Sequence, residues 1–277
     1  MNAEKIDLTL LVPEFPQTPQ IEIPRDGLVK RIGDSFGSDC QKQVVISNDY
    51  YGKSNFLAQF CRHYSSTCIS YFITSNPITQ NYRNFLYVLC NQISKIIKGK
   101  ILDETITETN LRNIFVSLLI QLGDYARQNH KKYYIVIDGI EFALESEIGN
   151  DIVLNPPTTN KSSPYLLFSA SNKTFEKLPE QYKCGVKPND FEAAFQFNLN
   201  NTEKYLEDLN LTNKEITYIN DKSRGIAGYL TIVRDSIKTS GKDWIQKDGL
   251  PDDLQRLIKN QVDHVFSEVK KQVKDII

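Results

Sequence analysis

Short apolar runs alternate with longer amphipathic segments as far as Leu199. The segments carry apolar residues at helical spacing, as Phe85, Leu86, Leu89 and Ile93 do. The predicted strands are Val44–Ile46, Cys68–Ile73, Tyr133–Ile137, Tyr165–Phe168 and Ala194–Leu199. The predicted helices between them are Asp26–Phe36, Lys53–His63, Arg83–Ile97 and Asn110–Asn129. This alternation predicts an α/β fold, with a parallel sheet flanked by helices on both faces.

The pattern changes at both ends of this alternating region. Prolines at 13, 16, 19 and 24 predict an extended N-terminal arm. After Leu199 only helices are predicted, at Thr202–Leu209, Asn213–Asp221, Ala227–Thr239 and Pro251–Val273. We therefore predict an arm at 1–24, an α/β domain at 25–199, and an all-helical lid domain at 200–277 whose end is a candidate start of a winged-helix region.

Composition and charge limit the classes of partner. The formal net charge is −1 at pH 7, so no overall field indicates nucleic acid or a membrane surface. No apolar run reaches the ~18 residues that a membrane-spanning helix needs. The five cysteines form no CxxC pair, and their odd number is typical of reduced thiols. With no signal-peptide pattern at the start of the sequence, we expect a cytoplasmic protein.

A candidate phosphate-binding loop joins the first strand to the next helix. It matches G-x-x-x-x-G-K-[ST] at every fixed position but the first, where Ser47 stands. Backbone N–H groups of such a loop and of the following helix surround phosphates. Lys53 is expected to reach the β- and γ-phosphates of ATP, and the Ser54 hydroxyl to bind Mg²⁺. The predicted cofactor-binding residues here are Ser47, Asn48, Asp49, Tyr50, Tyr51, Gly52, Lys53, Ser54 and Asn55.

Two residues depart from the usual glycine pattern of this loop. Ser47 replaces the first glycine, and Tyr50 stands where many such loops carry another. A residue other than glycine in a left-handed conformation costs roughly 1 kcal/mol, which weakens the loop without forbidding it. The alternative reading is a strand, turn and helix in which Gly-Lys-Ser occurs by chance.

An acidic pair follows the third predicted strand. Asp138 ends the apolar run Tyr133–Ile137 and is expected to order Mg²⁺ through water. Glu141, three residues further on, is expected to polarise the attacking water as a general base. The alternative is that Asp138 only caps the turn that it forms with Gly139.

The order of these motifs resembles that of STAND-class NTPases, the signal-transducing branch of P-loop ATPases that includes NACHT and NB-ARC proteins. Ile137–Glu141 is similar to the acidic "DGxD/E" run of that class, and Ser223–Leu230 is similar to its "S.G.PGYL" element. Further similar segments are Arg25–Leu28, Cys68–Ile73, Asn84–Ile93 ("FL..L..QI"), Leu166–Ser171 and Leu250–Leu254 ("LP..L").

The resemblance implies an ATP-binding regulatory switch in signal transduction or defence, with ATP or ADP and Mg²⁺ as ligands. It places Arg25 near the adenine, Ser171 at a sensor position that usually carries arginine, and Gly225 in the helical element that approaches the nucleotide. Ala227 stands where the class has an adenine-stacking proline. These departures imply a slow or weak ATPase, and either a tightly held nucleotide or a degenerate, poorly binding site fits them.

The resemblance also bears on partners. Proteins of this class carry sensor repeats and an effector domain, so the chain is expected to be an excised domain or a minimal member. A protein partner or self-assembly would then replace the missing parts. Two alternatives stay open: an AAA-like ATPase acting on DNA, which needs an arginine finger and a basic stripe, and a nucleotide-free scaffold.

Overall fold

A five-stranded parallel sheet organises the computed structural model of this chain. The described residues are 7–143, 148, 164–178, 180–183, 186–242 and 249–262. The strands are β1 (Lys42–Ile46), β2 (Cys68–Phe72), β3 (Tyr134–Asp138), β4 (Tyr165–Ala170) and β5 (Val186–Asp190). Their order is β2-β3-β4-β1-β5, and every neighbouring pair is parallel. The predicted α/β fold with a parallel sheet is confirmed.

Helices connect these strands and continue after the last of them. Those before β5 are α1 (Asp26–Ser35), α2 (Lys53–His63), α3 (Tyr82–Lys98), α4 (Glu108–Asn129), α5 (Asn172–Lys177) and α6 (Glu180–Lys183). Those after β5 are α7 (Glu192–Phe195), α8 (Leu199–Tyr205), α9 (Asn213–Ser223) and α10 (Ala227–Ser240). Residues 254–262 are also helical, while the rest of the predicted helix Pro251–Val273 lies outside the described residues. Beyond β5, all regular structure in the described part of the chain is helical.

The fifth strand is not where the sequence predicted it. In the predicted strand Ala194–Leu199, residues 194 and 195 end α7, residue 199 begins α8, and residues 196–198 connect the two helices. The actual β5 pairs with β1, lies at the sheet edge and is largely exposed, so its sequence is polar and contains Pro188. Proline is tolerated on an edge strand because one side needs no ladder hydrogen bond. An apolar run is therefore a poor guide to this strand.

Strand β2, at the opposite edge of the sheet, is covered by α3. Gln92 is fully buried, and its side chain accepts a hydrogen bond from the Ser70 N–H and donates one to the Ser70 carbonyl, each at 2.9 Å. The ring of Phe85 packs edge-on against Tyr71, with centroids 4.9 Å apart. A buried amide satisfied in this way fixes the register between the helix and the strand.

Part of the predicted N-terminal arm is packed rather than extended. Residues Leu8–Leu11 form a short 3-10 helix, and Leu8 is fully buried in the main core. The Leu8 N–H donates to the Ser65 carbonyl at 2.9 Å, and the ring of Phe15 lies edge-on to Phe72 at 5.2 Å. Apolar residues before and between the prolines, which composition alone does not reveal, anchor this segment.

The chain separates into two compact units. The first comprises Met1–Gln17, Pro24–Asn48 and Lys53–Phe191, and the second comprises Thr18–Ile23, Asp49–Gly52 and Glu192–Ile277. The domain limits drawn from the sequence, after residues 24 and 199, remain predictions. Within the described residues, no helix is both long and apolar enough to cross a membrane.

The second unit has an apolar core of its own. Buried side chains of α10, such as Tyr229 and Val233, pack with Leu206 of the preceding helical segment. Arg234 on the same helix is buried and forms an ion pair with Asp208 at 2.7 Å. Apolar contacts on one face of α10 and an ion pair on another fix the rotation of this helix about its own axis. The residues that its first turn exposes are therefore also fixed.

Candidate nucleotide-binding site

Three of the predicted site residues, Lys53, Ser54 and Asp138, lie at the carboxyl ends of the parallel strands. Lys53 begins α2 just after the loop that leaves β1, Asp138 is the last residue of β3, and β4 lies between these strands. Ligands of open α/β sheets bind beyond the carboxyl ends of the strands. The sheet order therefore brings the start of the loop and the acidic residue to the carboxyl ends of the strands.

Lys53 is buried, and its charge is held by the first two residues of the loop. The side chain is 7% exposed, and Nζ donates to the carbonyls of Ser47 and Asn48, each at 3.0 Å. An ammonium group has three donors in a compact head. Two carbonyls of the loop thus orient a buried positive charge at its base, which is the charge distribution that a phosphate ligand requires.

Only one of the two departures from the glycine pattern takes a left-handed conformation. Tyr50 has φ 69° and Gly52 has φ 97°, whereas Ser47 is not among the positive-φ residues. The Ser47 N–H donates to the Ala170 carbonyl at 3.4 Å and so continues the pairing of β1 with β4. A serine is therefore compatible with the backbone at 47, while Tyr50 carries conformational strain.

The other loop residues that the sequence singled out differ in exposure. Asn48, Asp49 and Tyr50 are exposed. Within the second unit, the Tyr51 hydroxyl is hydrogen-bonded to the side chains of Gln196 and Glu192, and burial raises the pKa of Tyr51. This pairing ties residue 51 to the segment that follows the sheet, a contact that the sequence did not predict.

Asp138 is buried and accepts hydrogen bonds from the neighbouring strand β4 and from the first turn of α2. The Ser169 hydroxyl of β4 donates to Oδ1, and the Ser54 hydroxyl also donates to this carboxylate. Burial raises the pKa of Asp138, while the bonds from Ser169 and Ser54 and the charge of Lys53 lower it. The structure thus brings Asp138, Ser54 and Lys53 together, so capping of the following turn does not account for all its contacts.

Gly139 permits the turn that places Asp138. Its φ is 73°, and a Cβ at this position would lie 2.0 Å from the Ile73 carbonyl oxygen. Only glycine fits a left-handed turn with the backbone of the next strand so close. The backbone conformation at residue 139 therefore requires a glycine directly after Asp138.

The oxygen groups of Ser54 and Asp138 at the carboxyl ends of the strands suit binding of Mg²⁺. Ser54 offers a hydroxyl oxygen hydrogen-bonded to a buried carboxylate, which is the hard-oxygen chemistry that this ion prefers. Among the described residues no three His, Cys, Asp or Glu side chains form a metal-binding group. Mg²⁺ is commonly held by one or two protein oxygens together with phosphates and water, so this small donor set suits an ion that arrives with a nucleotide.

Glu141 lies on the short 3-10 helix Ile140–Phe142 that follows Asp138 and Gly139. Ile140 is fully buried, while the Glu141 side chain is exposed. The turn after β3 therefore carries a buried carboxylate, that of Asp138, and an accessible one, that of Glu141. Its role as general base remains a prediction.

Arg25 immediately precedes α1 and is joined to α2 through Gln59. The Arg25 N–H donates to Gln59 Oε1, and Gln59 Nε2 donates to Asn55 Oδ1, both at 2.8 Å. Burial lowers the pKa of the Arg25 guanidinium to about 10. Gln59 was not predicted from the sequence, although its spacing of one helical turn from Asn55 places both side chains on one face.

At the predicted sensor position, the neighbour of Ser171 contacts the loop. Ser171 caps α5, where its hydroxyl accepts from the Thr174 N–H at 3.0 Å. Asn172 Nδ2 donates to Asn48 Oδ1 at 3.3 Å. The sensor role assigned to Ser171 stays a prediction, and Asn172 is the residue whose side chain approaches the phosphate-binding loop.

Gly225 makes a close backbone contact inside the second unit. Its φ is 69°, and a Cβ there would lie 2.2 Å from the Phe197 carbonyl oxygen. The Phe197 N–H donates to the Gly225 carbonyl at 2.8 Å. Glycine is therefore required for packing at 225, whatever its part in ligand binding, which remains a prediction.

Comparison with solved structures defines the class of fold. The Walker-type ATPase PABY2304 of Pyrococcus abyssi is similar over 95% of this chain and 79% of its own, with 13% identity and a TM-score of 0.56. The ORC2 protein of Aeropyrum pernix matches over 90% and 70%, with 12% identity and a TM-score of 0.47. Cdc6p from Pyrobaculum aerophilum matches over 89% and 68%, with 11% identity and a TM-score of 0.46.

The first of these similarities shows the fold of a Walker-type P-loop ATPase. No protein-family model matches the sequence, and no curated protein matches it. The STAND, NACHT and defence assignments therefore rest on the sequence motifs alone.

Proposed function

We propose that this chain binds ATP with Mg²⁺ at the loop Ser47–Ser54 and acts as a regulatory switch with slow ATP hydrolysis. The observation that carries the proposal is the buried Lys53 ammonium, held by two loop carbonyls next to the Ser54–Asp138 pair. A chance Gly-Lys-Ser would give no reason to bury a lysine among these groups, because burying a charge is expensive unless a partner uses it.

Each side chain has a separate task in this proposal. Lys53 neutralises the β- and γ-phosphates, and the Ser54 hydroxyl and Asp138 position the metal ion. When bound, Mg²⁺ supplies positive charge at the phosphate oxygens. Glu141, exposed three residues after the end of β3, accepts the proton of the attacking water.

Two features support slow turnover. Tyr50 in its left-handed conformation costs the loop roughly 1 kcal/mol relative to a glycine, so the arrangement of the loop that surrounds the phosphates is less stable. The sensor position carries Ser171 and Asn172, which are uncharged, so no arginine there stabilises the charge that develops in the transition state. Slow hydrolysis lets the bound nucleotide persist, which is the behaviour required of a switch.

The proposed regulatory role rests on the resemblance to STAND-class proteins and on which segments of the chain make up the second unit. Loop residues Asp49–Gly52 group with the helical segment Glu192–Ile277 rather than with the sheet. A ligand that contacts this loop therefore bears on the helical unit directly. Differential affinity for two arrangements is what shifts a population between them.

Hydrogen exchange tests the switch. We expect ATP with Mg²⁺ to slow exchange both at Ser47–Ser54 and across Thr202–Thr239, because the first turn of α10 contacts Tyr50 and α10 shares its apolar core with α9. Lys53→Ala treated with the same ATP is the control and should show neither effect. Protection confined to Ser47–Ser54 would show that the helical unit does not respond and would leave a plain nucleotide-binding ATPase.

A further inference from the structure

A direct backbone contact joins the phosphate-binding loop to the first turn of α10. Both partners belong to the second unit. The Gly228 N–H donates to the Tyr50 carbonyl at 2.8 Å. The first four N–H groups of a helix have no partner within it, and Gly228 is the second residue of α10. The loop thus satisfies a donor that the helix itself leaves unused.

Glycine is required at 228 for this contact. A Cβ built on Gly228 would lie 2.6 Å from the Tyr50 Cβ and 3.2 Å from the Tyr50 carbonyl oxygen. Real Cβ atoms do not approach another carbon to 2.6 Å, and the obstacle is the Cβ rather than the flexible end of a side chain. Any larger residue at 228 must therefore displace either the loop or the first turn of the helix.

The same contact accounts for the strained conformation of Tyr50. The residue has φ 69°, and its side chain is 57% exposed, so burial of the ring does not hold it there. The hydrogen bond from Gly228 acts on the backbone carbonyl, which is the group that the left-handed conformation reorients. A strained residue persists only where its surroundings hold it in place.

We propose that Gly228 is a positioning residue for the phosphate-binding loop. Its N–H and its missing Cβ hold Tyr50 in the conformation that shapes residues 49–52, so nucleotide affinity depends on the first turn of α10. By reciprocity, a bound nucleotide stabilises that turn by the same free energy. This inference rests on the proposed nucleotide binding, and it assigns Gly228 a role different from that of Gly225, which packs on Phe197.

A double-mutant cycle separates this role from general packing. Gly228→Ala is expected to weaken binding of ATP with Mg²⁺ about tenfold, because its methyl group displaces Tyr50. In a Tyr50→Gly background the Cβ and ring are gone, so Gly228→Ala should then weaken binding by less than about threefold. Gly37→Ala is the matched control, since a Cβ at 37 meets nothing within 4 Å, and it should leave affinity unchanged.

Calorimetric titration of all five proteins (wild type, three single variants and the double variant) gives the result, and thermal unfolding reports their stability. An equal loss from Gly228→Ala in both backgrounds, or no loss at all, would overturn the inference. Simple destabilisation of α10 predicts the equal loss, so rescue by Tyr50→Gly cannot come from a structural effect alone. If the wild type binds ATP and Lys53→Ala does not, the proposed function stands whatever the result of the double-mutant cycle. If the wild type fails to bind, both proposals fail.

Discussion

Lys53→Ala should weaken binding of ATP with Mg²⁺ by about a hundredfold. The ammonium is buried and oriented by the carbonyls of Ser47 and Asn48, so alanine removes a preset charge at the start of the loop. A hydrogen bond to a charged group contributes about 1.5–3 kcal/mol, and two such bonds to phosphate give a loss of this size. Calorimetric titration with ATP and Mg²⁺ measures the change.

Lys132 offers a matched control for this experiment. Its ammonium also donates to two backbone carbonyls, those of Gly33 at 3.2 Å and Phe36 at 2.7 Å. Lys132→Ala removes an equivalent pair of bonds away from the loop, so ATP affinity should stay within about twofold of the wild type. If Lys53→Ala binds ATP as the wild type does, the phosphate-loop assignment is wrong.

Glu141→Gln should leave ATP affinity intact and slow hydrolysis by about 10²- to 10⁴-fold. Glutamine keeps the shape of the side chain but cannot accept the proton of the attacking water, and general-base catalysis contributes a factor of this size. The position suits the role because the side chain is exposed three residues after the buried Asp138. Release of inorganic phosphate under saturating ATP measures the rate.

Glu176→Gln is the control for the loss of one exposed carboxylate. Glu176 lies on α5 and is exposed, as Glu141 is, so its replacement changes net charge equally. It should hydrolyse ATP at the wild-type rate. Turnover by Glu141→Gln at that same rate would exclude Glu141 as the base.

The buried parts of the fold were predictable because their sequence pattern is local. Strands β1 to β4 are almost wholly buried and mostly apolar, and α2 begins and ends at the residues predicted, Lys53 and His63. Strand β5 was missed because its stability comes from hydrogen bonds to β1 rather than from apolar side chains. Backbone pairing at a sheet edge leaves little trace in the sequence.

The residues of the candidate site were predicted only in part. The motif spacing identified Lys53, Ser54 and Asp138, and the structure brings these three together. Ser169 was missed because nothing in a strand sequence marks a hydroxyl that points toward a carboxylate on the next strand. Its place just after Phe168, which pairs with Ile137, is the signal that becomes visible once the register is known.

The link between Tyr50 and Gly228 was beyond any local pattern. The two residues lie far apart in sequence, and their contact consists of one backbone hydrogen bond and the absence of a side chain. The sequence indicated that Tyr50 departs from a glycine pattern and that the element Ser223–Leu230 approaches the nucleotide, but it did not pair Gly228 with Tyr50. Such long-range contacts depend on the complete fold.

The central claim is that this chain binds ATP together with Mg²⁺, and titration of the unmodified protein followed by native mass spectrometry tests it most directly. The account predicts one ATP per chain at saturation, and tighter binding with Mg²⁺ than with a chelator present, because Ser54 and Asp138 position the ion. No adduct at about 1 mM ATP, where even a weak specific site is half occupied, would contradict the account, as would binding that Mg²⁺ leaves unchanged.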